Sequence, residues 1–185
     1  MKRLTFVCAA FLALSLLARP APAADLENTL YMDLPKGRVV IAMRPDLAPL
    51  TVAHIKALVR RGFYDGLKFH RVIAGFMAQT GDPRGDGTGG SGQPIKAEFS
   101  QTAKHLRGTV SMARTSDPDS ADSQFFICYA PAPFLDGKYT IWGQVVSGME
   151  FVDALKKGDP ARNGMVAAPD KIIKMRVAAD AEKKS

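Results

Sequence analysis

Residues 69–82, FHRVIAGFMAQTGD, set an arginine (Arg71) and a glutamine (Gln79) into a run of strand-forming apolar residues broken at Gly75. A guanidinium is a permanent cation with a rigid fork of N–H donors, and a carboxamide both donates and accepts. Beside Phe76 and Met77, such groups could grip a substrate backbone or stabilise charge that develops on it. Spacing alone favours a plainer reading, with Arg71 a solvated strand residue. Met77 is open to either reading, and Phe126, inside QFFICY, reads as core.

Other chemistries find less support. Residues 87–92, GTGGSG, fit G-x-G-x-x-G, but QPIKAEF follows, with Pro94 and no helical period. A dinucleotide fingerprint must follow a strand and open a helix, so these glycines read as a backbone-shaping loop. His54, His70 and His105 are scattered, without Cys or carboxylate partners at ligand spacing, so no metal is expected. No G-x-S-x-G is present. Cys128 lies in an apolar strand, where burial raises a thiol pKa and makes it inert.

These residues need elements to position them. Alternating runs at 29–34 and 38–43 flank Pro35-Lys36-Gly37 and predict a hairpin. A helix follows, with Pro49 in its first turn, Gly62 at its end, and Val52, Ile55, Leu58 and Val59 on one face. Residues 68–79 predict two short strands bent at Ala74-Gly75, and residues 81–93 a Gly-rich loop. Further strands are expected at 108–113, 124–129, 139–146 and 171–178, and a second, short helix at 149–156. The terminal DAEKKS reads as a frayed end. Many short strands and two helices argue for a barrel or sandwich.

The 185 residues carry a formal net charge of +7. Lys2 and Arg3, then an apolar run over 4–18, then Ala21-Pro22-Ala23, form the pattern of a secretory signal peptide cleaved after residue 23. Residues 24–185 then form one domain with a net charge of about +4 and one cysteine. Its stability must come from its core. The mild, evenly spread charge gives no reason to expect nucleic acid as a partner.

Five motifs, FHR-x-I-x-GFM-x-Q-x-GD, GTGG, SMA, SQFFI and FLDGKY-x-x-WG-x-V, stand here in one order. In them the chain resembles the cyclophilin family of peptidyl-prolyl cis–trans isomerases, in its short exported bacterial form, over residues 29–177. The resemblance implies a closed eight-stranded antiparallel β-barrel capped by two α-helices. It puts the catalytic arginine at Arg71, with Gln79 beside it. Phe76, Met77, Ala113, Phe126 and Leu135 fall on the family's proline-binding floor. Where the common eukaryotic pattern has tryptophan and histidine, this chain has Phe134 and Tyr139, which implies weak cyclosporin binding.

The implied partners are X–Pro bonds in unfolded or exposed segments of exported, most simply periplasmic, proteins, acted on by a monomer without cofactor or metal. The chemistry suits the residues. An X–Pro bond rotates slowly because amide resonance sets a barrier of about 18–20 kcal/mol. A twisted amide needs a donor and an apolar cup for the ring, with no nucleophile. A chaperone or peptide-binding module of the same fold is the alternative.

Overall fold

The computed structural model describes residues 25–182. The expected signal peptide at 1–23 lies outside the described residues. Eight strands are formed, β1 (Thr29–Leu34), β2 (Gly37–Met43), β3 (Arg71–Ile73), β4 (Met77–Thr80), β5 (Thr109–Met112), β6 (Phe125–Cys128), β7 (Ile141–Ser147) and β8 (Lys174–Val177). Among the described residues three α-helices accompany them, α1 (Pro49–Arg60), α2 (Met149–Asp153) and α3 (Ala178–Glu182).

The local chemistry explains the elements. In β1 every second residue is buried (Leu30, Met32, Leu34), and pairing with β2 runs back from Leu34 opposite Gly37. α1 buries the expected Val52, Ile55, Leu58 and Val59. Ala48 supplies no side-chain cap, so Glu98 does so from outside the helix. Its carboxylate accepts from Leu50 N at 2.9 Å and from Thr51 N at 2.8 Å.

All strand pairs are antiparallel, in the order β3-β4-β6-β5-β7-β2-β1-β8. The sheet curls but stays open, which corrects the expected closed barrel. Its edges, β3 and β8, have three and four residues and do not pair with each other. An irregular segment, 164–172, lies along the β3 side instead. Val72 N donates to Gly164 O (2.8 Å), Val166 N to His70 O (3.0 Å) and Phe69 N to Asp170 O (2.9 Å). Isolated bridges at Lys68–Lys171 and Arg71–Met165 are its only strand-like contacts there. Pro169 has no N–H to extend a ladder. The two-helix expectation is corrected too. α2 stops at Asp153, and α3 begins at Ala178, where the expected last strand ends, and runs into the predicted frayed end, where Asp180 accepts from Arg60 Nε at 2.8 Å.

Around β5 and β6 the sheet is buried on both faces. The larger core holds Val72, Ala78, Val110, Met112, Phe125, Ile127 and Trp142. A smaller cluster of Met77, Phe126, Cys128, Ala132 and Leu135 is separate from it. Strand β6 joins the two, because successive side chains point to opposite faces. Phe125 and Ile127 enter the large core, and Phe126 and Cys128 the small one. All four are therefore buried and show no alternation.

Candidate active site

The outer cluster forms the floor of a cleft of about 690 Å³. All nine sequence-predicted residues (Arg71, Phe76, Met77, Gln79, Ala113, Phe126, Phe134, Leu135 and Tyr139) line it. Strand register brings them together. Gly75 adopts φ +73 in the tight turn after Ile73, so β3 folds back on β4 with Arg71 opposite Gln79 and Ile73 opposite Met77. Across β4 and β6, Gln79 faces Phe126 and Met77 faces Cys128. One row of the face thus reads Arg71, Gln79, Phe126, and the next Ile73, Met77, Cys128. A 3-10 turn, Pro133–Leu135, lays Leu135 over this face.

The rim is aromatic. Tyr139 meets Phe126 edge-on with centroids 6.0 Å apart, and the Arg114 guanidinium lies 4.5 Å over the Tyr139 ring. Phe134 is 61% exposed and tilts against Phe76 at 5.4 Å, so it can be reached by a ligand without any rearrangement of the core. A second cleft of about 500 Å³ adjoins the first. Gln79, Gly87, Ala113 and Arg114 belong to both. Its walls include Thr88, Gly89, Gly90, Thr115 and Asp122, from the two loops flanking the groove.

A chain of hydrogen bonds fixes the polar groups. Arg71 Nη1 donates to Gln79 Oε1 at 3.0 Å. Gln79 Nε2 donates to Gln124 Oε1 at 2.9 Å, and Gln124 Nε2 to Gly89 O at 2.8 Å and Gly87 O at 3.0 Å. Arg71 Nε and Nη2 donate to the carbonyl and side-chain oxygens of Asn163, both at 3.0 Å. The glycine motif therefore opens no helix and presents carbonyls to a glutamine. Asp82 folds that loop, accepting from Arg84 N at 2.8 Å and Gly87 N at 2.6 Å.

Arg71 differs from other arginines of the chain. Arg38, Arg44, Arg60 and Arg107 each lie against carboxylates whose hydrogen bonds raise their pKa. Arg71 has no ion pair among the described residues, and burial lowers its pKa. A guanidinium remains charged despite such a shift. The guanidinium is therefore a partly desolvated cation with no carboxylate paired to it among the described residues.

The histidines do not converge. His54 Nε2 lies 3.7 Å from Asp122, His70 lines the cleft, and His105 sits beneath the floor. His105 Nδ1 is 3.0 Å from Asp136 Oδ1, its Nε2 is 3.1 Å from Ser111 Oγ, and its ring stacks on Phe126. The set has the composition of a hydrolase triad, but Ser111 is fully buried and its hydroxyl donates to Thr140 O at 2.9 Å. No substrate carbonyl can reach that oxygen. The Cys128 thiol is likewise buried, and desolvation pushes its pKa up to about 12.

His70 links the site to pH. Both of its ring nitrogens are buried without a partner, and burial holds its pKa below the ordinary value, outweighing the pull of Asp82 and Asp86. Burial has the same effect on His105, outweighing Asp136. Above pH of about 6.5 a histidine is neutral in folded and unfolded chains alike. Below it the unfolded chain binds protons that the folded chain refuses, so stability falls as the pH is lowered. For one group the slope is at most about 1.4 kcal/mol per pH unit. Urea unfolding from pH 7.5 to 5.5 is expected to show this decline, and His70→Gln to flatten it. An unchanged decline in that variant would assign the effect elsewhere.

Sequence reasoning missed several lining residues, among them His70, Asp86, Arg114, Lys138, Asn163 and Met165. It also missed Gln124, which tethers Gln79. Asn163-Gly164 is a turn signal, and Gln124 is a polar residue opening an apolar strand, but neither signal points at Arg71.

The family model described as cyclophilin type peptidyl-prolyl cis-trans isomerase/CLD matches residues 29–177. A probable peptidyl-prolyl cis-trans isomerase of Brucella suis is 53% identical, over 96% of this chain and 97% of its own. The crystal structure of the Hirschia baltica cyclophilin AquaCyp293 superposes with a TM-score of 0.75 at 30% identity, covering 84% of this chain and 76% of that one. A Cryptosporidium parvum cyclophilin type peptidyl-prolyl cis-trans isomerase, crystallised in the presence of the dipeptide Ala-Pro, superposes at 0.74 and 29% identity. That match covers 80% of this chain and 98% of that one.

Proposed function

Because the chain belongs to the cyclophilin-type peptidyl-prolyl cis–trans isomerases, an enzyme family, we propose that it catalyses X–Pro rotation in exported proteins in the cleft around Arg71. When the C–N bond is twisted by about a quarter turn, resonance is lost and the proline nitrogen regains a lone pair. That lone pair accepts a hydrogen bond strongly only in the twisted state. A donor aimed at it therefore stabilises the transition state more than either ground state, which is the condition for raising the rate. Arg71 is the donor. Phe76, Met77, Ala113, Phe126 and Leu135 hold the ring, and Gln79 orients the guanidinium and meets the substrate backbone. Phe134 and Tyr139 form the rim.

The observation that carries this reading is an uncompensated guanidinium beside an apolar floor. Of its five N–H groups three are engaged, which leaves two for a substrate. The Ala-Pro dipeptide present with the Cryptosporidium relative supports a proline-containing ligand. Residues 1–23 support export to the periplasm. We extend the reading to a monomer that binds cyclosporin weakly, because phenylalanine at 134 offers no indole N–H donor.

Exchange spectroscopy on a short X–Pro peptide tests this. Catalysed cis–trans exchange is expected, with shift changes confined to the lining of the cleft and little inhibition by cyclosporin. Peptide binding without faster exchange would favour a chaperone role instead.

A further inference from the structure

Arg71 is held from 92 positions away in the chain. The loop over 158–165 docks on β3 from both sides of Val72, whose N–H donates to Gly164 O at 2.8 Å and whose carbonyl accepts from Gly158 N at 2.9 Å. The approach leaves no room for side chains. A Cβ on Gly158 would overlap the Gly164 carbonyl, and one on Gly164, at φ +78, would overlap Ile73. Between them stands Asn163 at φ 53 and ψ 34, the one non-glycine residue with positive φ among the described residues. Left-handed backbone suits asparagine, but glycine serves a turn there equally well. The turn therefore does not explain why a side chain is present.

Its contacts do. The Asn163 carbonyl accepts from Arg71 Nε and its Oδ1 from Arg71 Nη2, both at 3.0 Å, while Gln79 Oε1 takes Nη1 from the far side. Two acceptors on one residue fix the plane of the guanidinium as well as its position. All three acceptors are neutral oxygens. A carboxylate here would hold the fork as firmly but would compensate the charge that the twisted amide must feel.

We infer that Asn163 is the positioning residue that aims the free N–H groups of Arg71 across the cleft without discharging them. The inference rests on the donor role proposed for Arg71. Asn163→Gly keeps the left-handed backbone and the carbonyl anchor but deletes Oδ1. It is expected to slow peptide exchange at saturation by about tenfold, the size of one hydrogen bond to a charged group, with KM within about twofold and an unchanged melting temperature. In ¹⁵N spectra the guanidinium N–H signals of Arg71 should exchange faster with water. Adding Asn163→Gly to Arg71→Ala should cause no further loss. If Arg71→Ala itself turns over normally, the donor role fails and the inference with it. If Arg71→Ala is slow while Asn163→Gly is normal, or if the two losses multiply, the donor role stands and the inference is overturned.

Discussion

Arg71→Ala is expected to lower kcat/KM for X–Pro exchange by about two to three orders of magnitude while leaving the fold intact. A preorganised donor facing charge that develops only in the transition state is worth about 2.7–4 kcal/mol when removed. Here the donor is charged, half-buried and free of a carboxylate. The stability cost should be small for the same reason. No buried anion is left stranded, and desolvating the cation already opposes folding. Only Gln79 Oε1 and the two Asn163 oxygens lose a partner, at a cleft open to water. Exchange spectroscopy and a urea midpoint measured on one sample separate the two effects. Arg71→Lys should fall between, because it keeps the charge and loses the fork. Near-normal turnover in Arg71→Ala would remove the donor from the mechanism. A large drop in the midpoint would instead show that Arg71 holds the fold.

This expectation can be traced back to particular residues. Period-2 alternation places Arg71 and Ile73 on one face, and Met77 and Gln79 likewise. The Gly75 turn then fixes which of them meet, so half of the floor was legible in FHRVIAGFMAQTGD. The first hairpin and α1 were legible because each has one wet face. QFFICY was not, because β6 is covered on both sides and its pattern carries no sign of which residue faces which core. Closure of the sheet was not legible either. It depends on whether two short edges bond through an irregular segment, and no local period reports that. Asn163 reaches Arg71, and His105 reaches Asp136, only through long-range packing.

Phe125 and Phe126 turn that ambiguity into a test, since adjacent aromatics on one strand should fail in opposite ways. Phe125 is fully buried and packs edge-on against Tyr64 at 5.6 Å and Trp142 at 5.4 Å. Its replacement by alanine opens a cavity among large side chains that cannot collapse into it, at a cost of about 3–5 kcal/mol. The fraction that remains folded should still isomerise at close to the normal rate, because the far face of β6 is untouched. Phe126 is 5% exposed and lies in the small cluster, between the His105 ring and Tyr139, with the cleft above it. Phe126→Ala leaves a hollow that water can enter from the cleft, so its stability cost should fall below that range, at about 2 kcal/mol. Its effect on function should be larger. Without the ring floor, the proline has little to brace against while the acyl side rotates, and kcat/KM should fall by about ten- to a hundredfold, mostly through KM. Urea unfolding and peptide exchange on both variants decide the matter. If Phe126→Ala turns over normally while Phe125→Ala loses activity in its folded fraction, the groove lies on the other face of the sheet, and both the cup and the aim of Arg71 would have to be reassigned.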